Sequence, residues 1–424
     1  MIRYFLVIVM SVQFYLSAKK RPINPKATLA VIFLVILLDQ CGVLLIQPIY
    51  PELLHSLTGQ STADSVLWMG GLTASYAVMQ IIFAPVIGRL SDYYGRRKLL
   101  LLSMFAFAVD YVIMALAQNI YVLFLGRIVS GIAGSCVALG FAAVTDISGP
   151  EDRMKNLGAV YAAFGLGLVL GPIFGSIGVH FSLRGPLWIA VGFSVLNFLL
   201  IYFLFQETRT GSKGEKQGAS GLIASYRHLR RYSGVKGLLF AEFFILLGLT
   251  SMTVIWPYYA AEHFFWDASK IAYSLVVLGA AISGVQLTVV PWAHRIWGNV
   301  KSVLISGVFF IISAFLFLWV RHPINWYLLS SAVFFYALGW AGVSAAQTIL
   351  SFCVPKDHQG ELQGFVSALY SLSLVITPLL VTYIFRYSIR HNFLWKESNI
   401  FLVAGLFCVV GLIIYLVVLP KIKD

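Results

Sequence analysis

Residues 87 to 103 read IGRLSDYYGRRKLLLLS, a short polar stretch between two long apolar runs. The stretch contains four basic residues, one aspartate and two glycines, whereas the residues on either side of it are mostly hydrophobic. A chain that crosses a lipid bilayer repeatedly has this pattern, because polar residues collect where the chain leaves the hydrocarbon. The stretch therefore predicts a tight connection between two membrane-spanning helices.

The whole chain has the composition of a membrane protein. Of its 424 residues, 59% are hydrophobic and 11% are charged, and the mean hydropathy is +0.86. Since a helix needs about 20 apolar residues to cross the bilayer, we predict an all-α membrane protein with twelve transmembrane helices. The predicted spans cover residues 27–50, 66–87, 99–117, 121–144, 156–181, 187–205, 237–261, 269–292, 302–320, 326–352, 362–387 and 399–419.

The net charge of +13 follows from where lysine and arginine lie relative to these spans. With the amino terminus inside, the basic segments 19–26, 96–98, 153–155 and 209–236 all fall on one side. The positive-inside rule assigns that side to the cytoplasm. We therefore expect a multi-pass protein of the inner (cytoplasmic) membrane, with both termini of its twelve-helix core in the cytoplasm. We expect a monomer whose partners are the lipid bilayer, protons and a small molecule, and nucleic acid is excluded.

A polar segment divides the chain into two halves with six predicted spans each. It includes ETRTGSKGEKQGASG and is too polar to form a core, so it is interpreted as a cytoplasmic linker. Gly158 and Pro172 have the same separation as Gly364 and Pro378, which indicates a duplicated unit. The predicted organisation is a basic amino-terminal segment with an apolar run (1–26), a six-helix bundle (27–206), the linker (207–236), a second bundle (237–419) and a tail (420–424).

Two minor features of the sequence bear on these predictions. The apolar run 1–17 is short for a span, so it is interpreted as a signal-like segment, an interfacial helix or an over-extended start of the chain. The four cysteines, at positions 41, 136, 353 and 408, lie in or beside apolar spans without CxxC spacing. They are predicted to be packing residues, and no metal site is expected.

The opening stretch resembles the loop between the second and third helices of the major facilitator superfamily. The resemblance is carried by the ordered residues Gly88, Leu90, Ser91, Asp92, Gly95, Arg96 and Arg97. It implies two six-helix bundles around a central cavity, with this loop as a latch that holds the cytoplasmic ends of the bundles together. In physical terms, Gly88 and Gly95 permit a close-packed turn, and Asp92 offers a charge to an arginine or to a helix amino terminus.

Two further segments resemble motifs of the same superfamily. GRIVSGIAGS, at 126–135, places Arg127 inside the fourth span. The fifth span resembles the antiporter motif of drug exporters, except that Ser176 replaces the usual last glycine; its matching residues are Gly158, Gly167, Gly171, Pro172 and Gly175. Because glycines recur every four residues, one face of this helix is bare, and we expect a neighbouring helix to approach it closely.

Longer segments resemble the tetracycline/proton antiporter group, among them LLDQCGVLLIQPIYPELL at 37–54 and ASYAVMQIIFAPVIGRLSDYYGRRKLLLLS at 74–103. The resemblance implies proton-coupled export driven by the proton gradient, without a cofactor. Its matching positions are Asp39, Gln80, Asp92, Arg96, Asp110 and Arg127. Two positions depart from the group: Ile282 replaces a histidine of the eighth span, and Ile311 replaces an aspartate of the ninth. Tetracycline as substrate and that group's proton route therefore stay open.

Charged residues within predicted spans are candidates for function, because burying each costs roughly 2.5–3.5 kcal/mol or more. Asp110 and Arg127 are expected to lie at similar depth, either as a fixed ion pair or as a pair that exchanges partners. Asp39 has no evident partner, which favours a role in carrying protons. Glu242, near the start of the seventh span, is either a further proton-coupling residue or an acid at the level of the lipid headgroups.

The carboxyl half offers aromatic and amide side chains in place of charges. A cavity with acids and an arginine on one wall and aromatic rings on the other suits an amphiphilic molecule. The predicted cavity residues are Asp39, Gln47, Gln80, Asp110, Arg127, Trp256, Gln286, Trp340 and Gln347.

The resulting hypothesis is a secondary active transporter, a proton-coupled exporter of a drug-like or siderophore-like compound. A proton symporter that imports a metabolite is the alternative. A membrane enzyme or a sensor is a remote possibility, since the sequence has no HExxH motif, no phosphate-binding loop and no clustered histidines.

Overall fold

The structure is a computed structural model that describes residues 24–134, 136–149, 153–208, 229, 231–232, 234–320, 324–355, 359–392 and 395–419. The apolar run 1–17, most of the predicted linker and the tail lie outside the described residues. The described chain is helical, with two short 3₁₀ turns at Gln47–Ile49 and Lys396–Ser398. Its α-helices are α1 Pro25–Leu44, α2 Tyr50–Thr58, α3 Thr62–Tyr94, α4 Arg96–Leu116, α5 Ile120–Ala133, α6 Cys136–Ile147, α7 Arg153–Phe181, α8 Gly185–Leu204, α9 Val235–Phe264, α10 Ala268–Trp319, α11 Trp326–Gly339, α12 Ala341–Phe352, α13 Gln359–Arg390 and α14 Asn399–Val418.

The twelve predicted spans correspond to these helices. Eleven segments of the described chain are long and apolar enough to cross a membrane, and the apolar part of α7, Gly165–Phe181, is a shorter twelfth. The first span consists of α1, a 3₁₀ turn at Pro48 and α2. The fourth span is divided into α5 and α6, and the tenth into α11 and α12. The all-α fold with twelve spans is therefore confirmed.

One predicted loop is largely helical. The sequence predicts a break from 293 to 301, but α10 continues through it and bends at Gly298, which has a φ of 71°. Glycine adopts this left-handed conformation without strain, so a single residue is enough to turn the chain between the eighth and ninth spans. The bend divides α10 into the arms 268–297 and 299–319.

The helices pack as two halves that meet along two lines of contact. Within the amino half, α1 packs against α7 and α8, and α4 packs against α5 and α8. Within the carboxyl half, α9 packs against α14, and α10 packs against α11. Between the halves, α3 lies against α13, and α7 lies against the first arm of α10. We call the side with the α3–α4 connection the linker side and the opposite side the far side.

Candidate functional site

A buried ion pair lies inside the amino half. Arg127 on α5 donates from Nη2 to Oδ2 of Asp110 on α4 at 2.8 Å. Asp110 is fully buried, and Arg127 is 7% exposed. The rings of Tyr76 and Tyr111 lie 5.8 and 5.9 Å from the guanidinium carbon. Aromatic faces and a carboxylate thus surround the cation and offset part of the cost of burying it.

Local sequence explains how this pair fits between two helices. A Cβ atom at Gly126 would lie 2.5 Å from Oδ1 of Asp110, so the glycine before Arg127 makes room for the carboxylate. Asn119 begins α5 by accepting the backbone N–H of Val122, which fixes where that helix starts. The Asp110–Arg127 pair that the sequence predicts is therefore present. The tyrosines beside it were not predicted, since aromatic residues in spans more often face lipid.

Asp39 on α1 belongs to the same cluster. It is 8% exposed, and its carboxylate accepts a hydrogen bond from Gln40 Nε2 at 3.3 Å. Tyr76 and Tyr111 interact with Asp39 as well as with Arg127, so Asp39 and the ion pair have these two tyrosines as common neighbours. No ion pair to Asp39 occurs among the described residues. Its carboxylate is therefore buried without a cation of its own in this part of the chain.

Gln80 makes a hydrogen bond to the backbone where the fourth span is interrupted. Its Nε2 donates to the backbone oxygen of Gly134 at 2.7 Å and to the hydroxyl of Tyr76 at 3.2 Å. An interrupted helix leaves carbonyl groups without intrahelical partners, and an amide from a neighbouring helix satisfies one of them here. The predicted cavity residue Gln80 thus supports the backbone between α5, which carries Arg127, and α6.

The carboxyl half repeats this arrangement. Gln286 Nε2 on α10 donates to the backbone oxygen of Trp340 at 3.1 Å, where the tenth span is interrupted. The spacing along the chain from Gln80 to Gln286 is the same as from Gly134 to Trp340 and from Pro172 to Pro378. The duplication predicted from sequence therefore extends to a specific hydrogen bond. We call the two bonds the paired glutamine bonds.

Other predicted cavity residues of the carboxyl half have mixed surroundings. Trp256 is 3% exposed, donates to Ser274 Oγ at 2.8 Å and packs against Tyr259 and Phe317, so its contacts are those of a packing residue. The Trp340 indole N–H is buried without a hydrogen bond. Gln47 lies in the 3₁₀ turn of the first span. The predicted place of Trp256 in a cavity has no support from these contacts.

Gln347 and Glu242 lie within the carboxyl half. Gln347 is on α12, the linker-side part of the interrupted tenth span, and it interacts with the Glu242 side chain of α9. Glu242 is 2% exposed. The alternative of a solvated acid at the headgroups does not agree with this burial, because neighbouring helices enclose the side chain.

The predicted latch makes its described contacts within the amino half. Arg96 Nε pairs with Asp146 Oδ2 of α6 at 3.0 Å, and its guanidinium also bonds to Ser91. The backbone N–H groups of Arg96 and Arg97 donate to the Glu207 carboxylate at 2.8 and 3.1 Å. Sequence reasoning missed both acids, whose signal is their position at the linker-side ends of the fourth and sixth spans. The side chain of Asp92 is not among those that the structure describes.

The two latch glycines differ in their surroundings. Gly95 has a φ of 99°, and a Cβ atom there would overlap the Glu207 carboxylate. Gly88 lies inside α3, and a Cβ atom there would meet nothing within 4 Å. The prediction that both glycines permit close packing is thus correct in geometry for Gly95 and wrong for Gly88, because α3 continues past Gly88 to Tyr94.

Gly95→Leu is expected to slow transport several-fold while leaving equilibrium substrate affinity nearly unchanged. Leucine at this φ costs roughly 1–3 kcal/mol of backbone strain and displaces Glu207, which alters the balance of conformations rather than the binding site. Turnover in proteoliposomes and equilibrium binding to purified protein measure the two effects. Gly192→Leu is the control and is expected to be nearly silent, because a Cβ atom at Gly192 of α8 meets nothing within 4 Å. A large loss of affinity with normal turnover contradicts the latch assignment.

The glycine face of α7 packs against the first span. A Cβ atom at Gly167 would lie 2.5 Å from Cβ of Gln40, and one at Gly171 would lie 2.8 Å from Cβ of Leu44. At Gly175 it would lie 2.7 Å from a backbone oxygen of Leu45. The expected close approach is therefore present, with Pro172 inside the helix. The surroundings of Gly158 lie outside the description.

Polar contacts between the two halves lie at the far side of the described structure. Asp64 Oδ1, at the start of α3, accepts from Arg386 Nε and Arg390 Nη2 of α13, each at 2.8 Å. Glu52 of α2 accepts the backbone N–H of Ala268, at the start of α10, at 2.9 Å. We call Asp64, Arg386 and Arg390 the far-side clamp. Sequence reasoning missed it, because charges are common at helix ends and nothing in the sequence pairs these two ends.

Asp64→Asn is expected to open the far side. Each partly exposed ion pair contributes about 0.2–1 kcal/mol, so losing both shifts the conformational equilibrium by roughly twofold to thirtyfold. The reporter is Thr382→Cys, at a buried position whose side chain touches Gly70 across the halves. Its labelling by a membrane-impermeant maleimide is expected to accelerate correspondingly. Exchanging the charges, with Asp64→Arg and Arg386→Asp together, is expected to restore slow labelling. Unchanged labelling in Asp64→Asn shows that the clamp does not hold the halves.

Two bundles of apolar helices that pack together through α3–α13 and α7–α10, with a buried ion pair inside one of them, have the architecture of a membrane transporter. A family model described as Major Facilitator Superfamily matches residues 32–345 and 238–424. The chain belongs to the major facilitator superfamily. It is a multi-pass membrane protein and a secondary transporter, not an enzyme.

Individual relatives support the predicted resemblance to the tetracycline/proton antiporter group. The class C tetracycline resistance protein of Escherichia coli is 35% identical over 405 residues, covering 93% of this chain and 96% of the relative. The class D protein of Salmonella ordonez is 36% identical over 362 residues, covering 84% of this chain and 89% of the relative. The fold is similar to an inward-facing, unoccupied bacterial homolog of the human lysosomal transporter Spinster, with a TM-score of 0.78, 14% identity and coverage of 96% and 98% of the two chains.

Proposed function

We propose that this protein exports an amphiphilic drug-like compound in exchange for protons. The observation that carries the proposal is the buried layer of Asp39, Asp110 and Arg127 in the amino half, lined by Tyr76 and Tyr111. A layer of this kind offers a proton acceptor, a cation and aromatic faces to one molecule. The named activity of the tetracycline resistance relatives agrees with export of a drug.

Within this layer, Asp39 is proposed to bind the coupling proton. Asp110 is paired with Arg127 at 2.8 Å, and the pair compensates the burial of its charge. Asp39 has a hydrogen bond from Gln40 but no ion pair among the described residues. A carboxylate in that position gains most from accepting a proton, and it returns to its charged form only where water or a cationic substrate reaches it. Gln80, Gln286, Trp340 and Gln347 are proposed to line the same cavity.

Access to the layer is proposed to alternate between the two sides of the membrane. The far-side clamp joins the halves on one side in this conformation, and the latch around Gly88, Asp92, Gly95, Arg96 and Arg97 is proposed to join them on the other side in the opposite one. We place the linker side in the cytoplasm of a cell's inner membrane, in line with the positive-inside rule. The transporter is proposed to act as a monomer with the proton gradient as its energy source and no cofactor.

Reconstitution in liposomes tests the proposal. A pH gradient is imposed across the membrane, and uptake of a compound panel that begins with tetracycline is followed together with internal pH. Compound movement opposite to proton movement supports antiport. Movement of both in the same direction replaces the proposal with symport of an imported metabolite. Absence of proton movement with any transported compound rejects proton coupling altogether.

A further inference from the structure

The carboxyl half buries a carboxylate that the proposed mechanism does not use. Glu242 on α9 is 2% exposed, and neither of its carboxylate oxygens has a partner at good hydrogen-bond geometry among the described residues, although the Gln347 side chain is close enough to interact with it. It lies about 10 Å from the linker-side end of α9, at a rise of roughly 1.5 Å per residue. A fixed ionised carboxylate is costly at such a place unless a cation or several donors surround it.

The surroundings of Glu242 contain no such cation among the described residues. The described cations on this side of the carboxyl half, Arg231, Lys236, Arg295 and Lys301, are exposed, and none of them interacts with the carboxylate. The titratable side chains of α13 and α14 in this region are Tyr370, Cys408 and Tyr415, which carry no charge at neutral pH. The polar group that does interact with Glu242 is the side-chain amide of Gln347.

Gln347 connects Glu242 to the interruption of the tenth span. It lies on α12, which begins immediately after Trp340. Gln286 bonds to the Trp340 backbone oxygen, and Ser344 Oγ of α12 donates to Oε1 of the same Gln286 at 3.2 Å. A movement of α12 about this interruption therefore changes the contact between Gln347 and Glu242. The amide oxygen of Gln347 can accept a hydrogen bond from the protonated carboxylic acid of Glu242, and the amide nitrogen can donate one to the carboxylate. Gln347 can therefore bond to both protonation states of Glu242.

We propose that Glu242 and Gln347 form a second proton-binding site, so that the transporter exchanges two protons for each substrate molecule. The ligand is a proton because the buried carboxylate oxygens leave no accessible surface for an organic cation. One site lies in each half: Asp39 in the amino half and Glu242 in the carboxyl half. Glu242 supplies the carboxyl half with an ionisable group, whereas Ile282 and Ile311 supply none at their positions in the eighth and ninth spans. The two-proton exchange rests on the proposed antiport, whereas proton binding by Glu242 does not.

Difference infrared spectroscopy tests proton binding without any substrate. Purified protein is titrated between roughly pH 5 and 9, and the carbonyl stretch of protonated carboxylic acids is followed. Glu242→Gln, which imitates the neutral acid, is expected to remove one titrating signal without lowering the melting temperature. Gln347→Leu is expected to shift that signal, and Glu262→Gln, at the other end of α9, is the matched control that leaves it unchanged. If Glu242→Gln keeps the wild-type titration, Glu242 does not exchange a proton and the proposal is overturned.

Accumulation of tetracycline in proteoliposomes, with the membrane potential held at zero by potassium and valinomycin, tests the two-proton exchange. Two protons per molecule sustain roughly 100-fold accumulation for each unit of pH difference, and one proton sustains roughly tenfold. Glu242→Gln is therefore expected to lower the limit from about 100-fold to about tenfold. An equal limit in wild type and Glu242→Gln overturns the two-proton exchange. If wild type accumulates no tetracycline, export of this compound fails while the infrared titration still decides whether Glu242 binds a proton.

Discussion

Asp39→Asn is expected to lower pH-driven accumulation of substrate by roughly tenfold for each unit of pH difference, while preserving substrate exchange in the absence of a gradient. The asparagine amide is neutral and similar in shape to a protonated aspartic acid, so the variant resembles a carrier that never releases its proton. Each exchanged proton sustains roughly a tenfold accumulation per unit of pH difference, and this contribution of Asp39 is lost in the variant. The first span is interrupted just beyond Asp39, where the 3₁₀ turn at Pro48 separates α1 from α2. Such an interruption lets water or substrate reach a buried group in one conformation only.

Counterflow is the internal control for Asp39→Asn. Vesicles loaded with unlabelled substrate are placed in labelled substrate at equal pH, and label entry is expected at a rate within a few-fold of wild type. Loss of both activities instead indicates a folding or binding defect, and Asp39→Glu, which keeps the carboxylate, then distinguishes the two. If Asp39→Asn accumulates substrate to the wild-type limit, the coupling proton is bound elsewhere, and Asp110 or Glu242 becomes the better candidate.

Gly171→Leu is expected to reduce transport to the level of empty liposomes, although the protein still reaches the membrane. At this position α7 touches α1 almost backbone to backbone, with a virtual Cβ 2.8 Å from Leu44 and 3.2 Å from the Cys41 backbone oxygen. A leucine side chain forces the helices apart at a cost of roughly 1–3 kcal/mol or more from overpacking. The displaced helix is α1, which carries Asp39, so the charged layer is displaced with it.

Gly165→Leu is the matched control for Gly171→Leu. It lies in the same helix, but a Cβ atom there meets nothing within 4 Å, so transport close to wild type is expected. Membrane abundance and thermal stability in detergent are measured for both variants. Normal transport by Gly171→Leu shows that the glycine face is not a packing seam. Equal loss in both variants shows that any leucine in α7 is harmful, whatever it touches.

The sequence was sufficient for the features that the bilayer itself enforces. Apolar runs predict the spans because lipid offers no hydrogen bonds to the backbone, and a lone charge within such a run stands out because it is costly there. The sequence therefore predicts that Asp110 and Arg127 are neighbours, and their side chains are 2.8 Å apart. The glycine period of α7 predicted a close contact, although it did not indicate that the partner is the first span.

Contacts between distant helix ends were beyond sequence reasoning. Asp64 and Arg386 lie far apart along the chain, at helix ends where charged residues are ordinary, so neither one marks a partner. The interruption at Trp340 has only a weak local signal, since Gly339 and Gly342 flank it but glycines within apolar spans more often serve close helix packing. A bend at Gly298 takes the place of the predicted loop, because one glycine with a positive φ turns the chain and helical structure continues on both sides of it.

The paired glutamine bonds carry information about ancestry. Gln80 and Gly134 both lie in the amino half, and Gln286 and Trp340 both lie in the carboxyl half, so each bond is complete within one copy of the duplicated unit. A single six-helix unit therefore contains everything that its own interrupted span needs, and the duplication gives the protein two such interruptions. The two units differ in charge: Asp110 and Arg127 form a buried ion pair in the amino half, and the equivalent positions of the carboxyl half are Leu316 and Val333. The repeat has thus kept the interrupted helix in both halves and this ion pair in one.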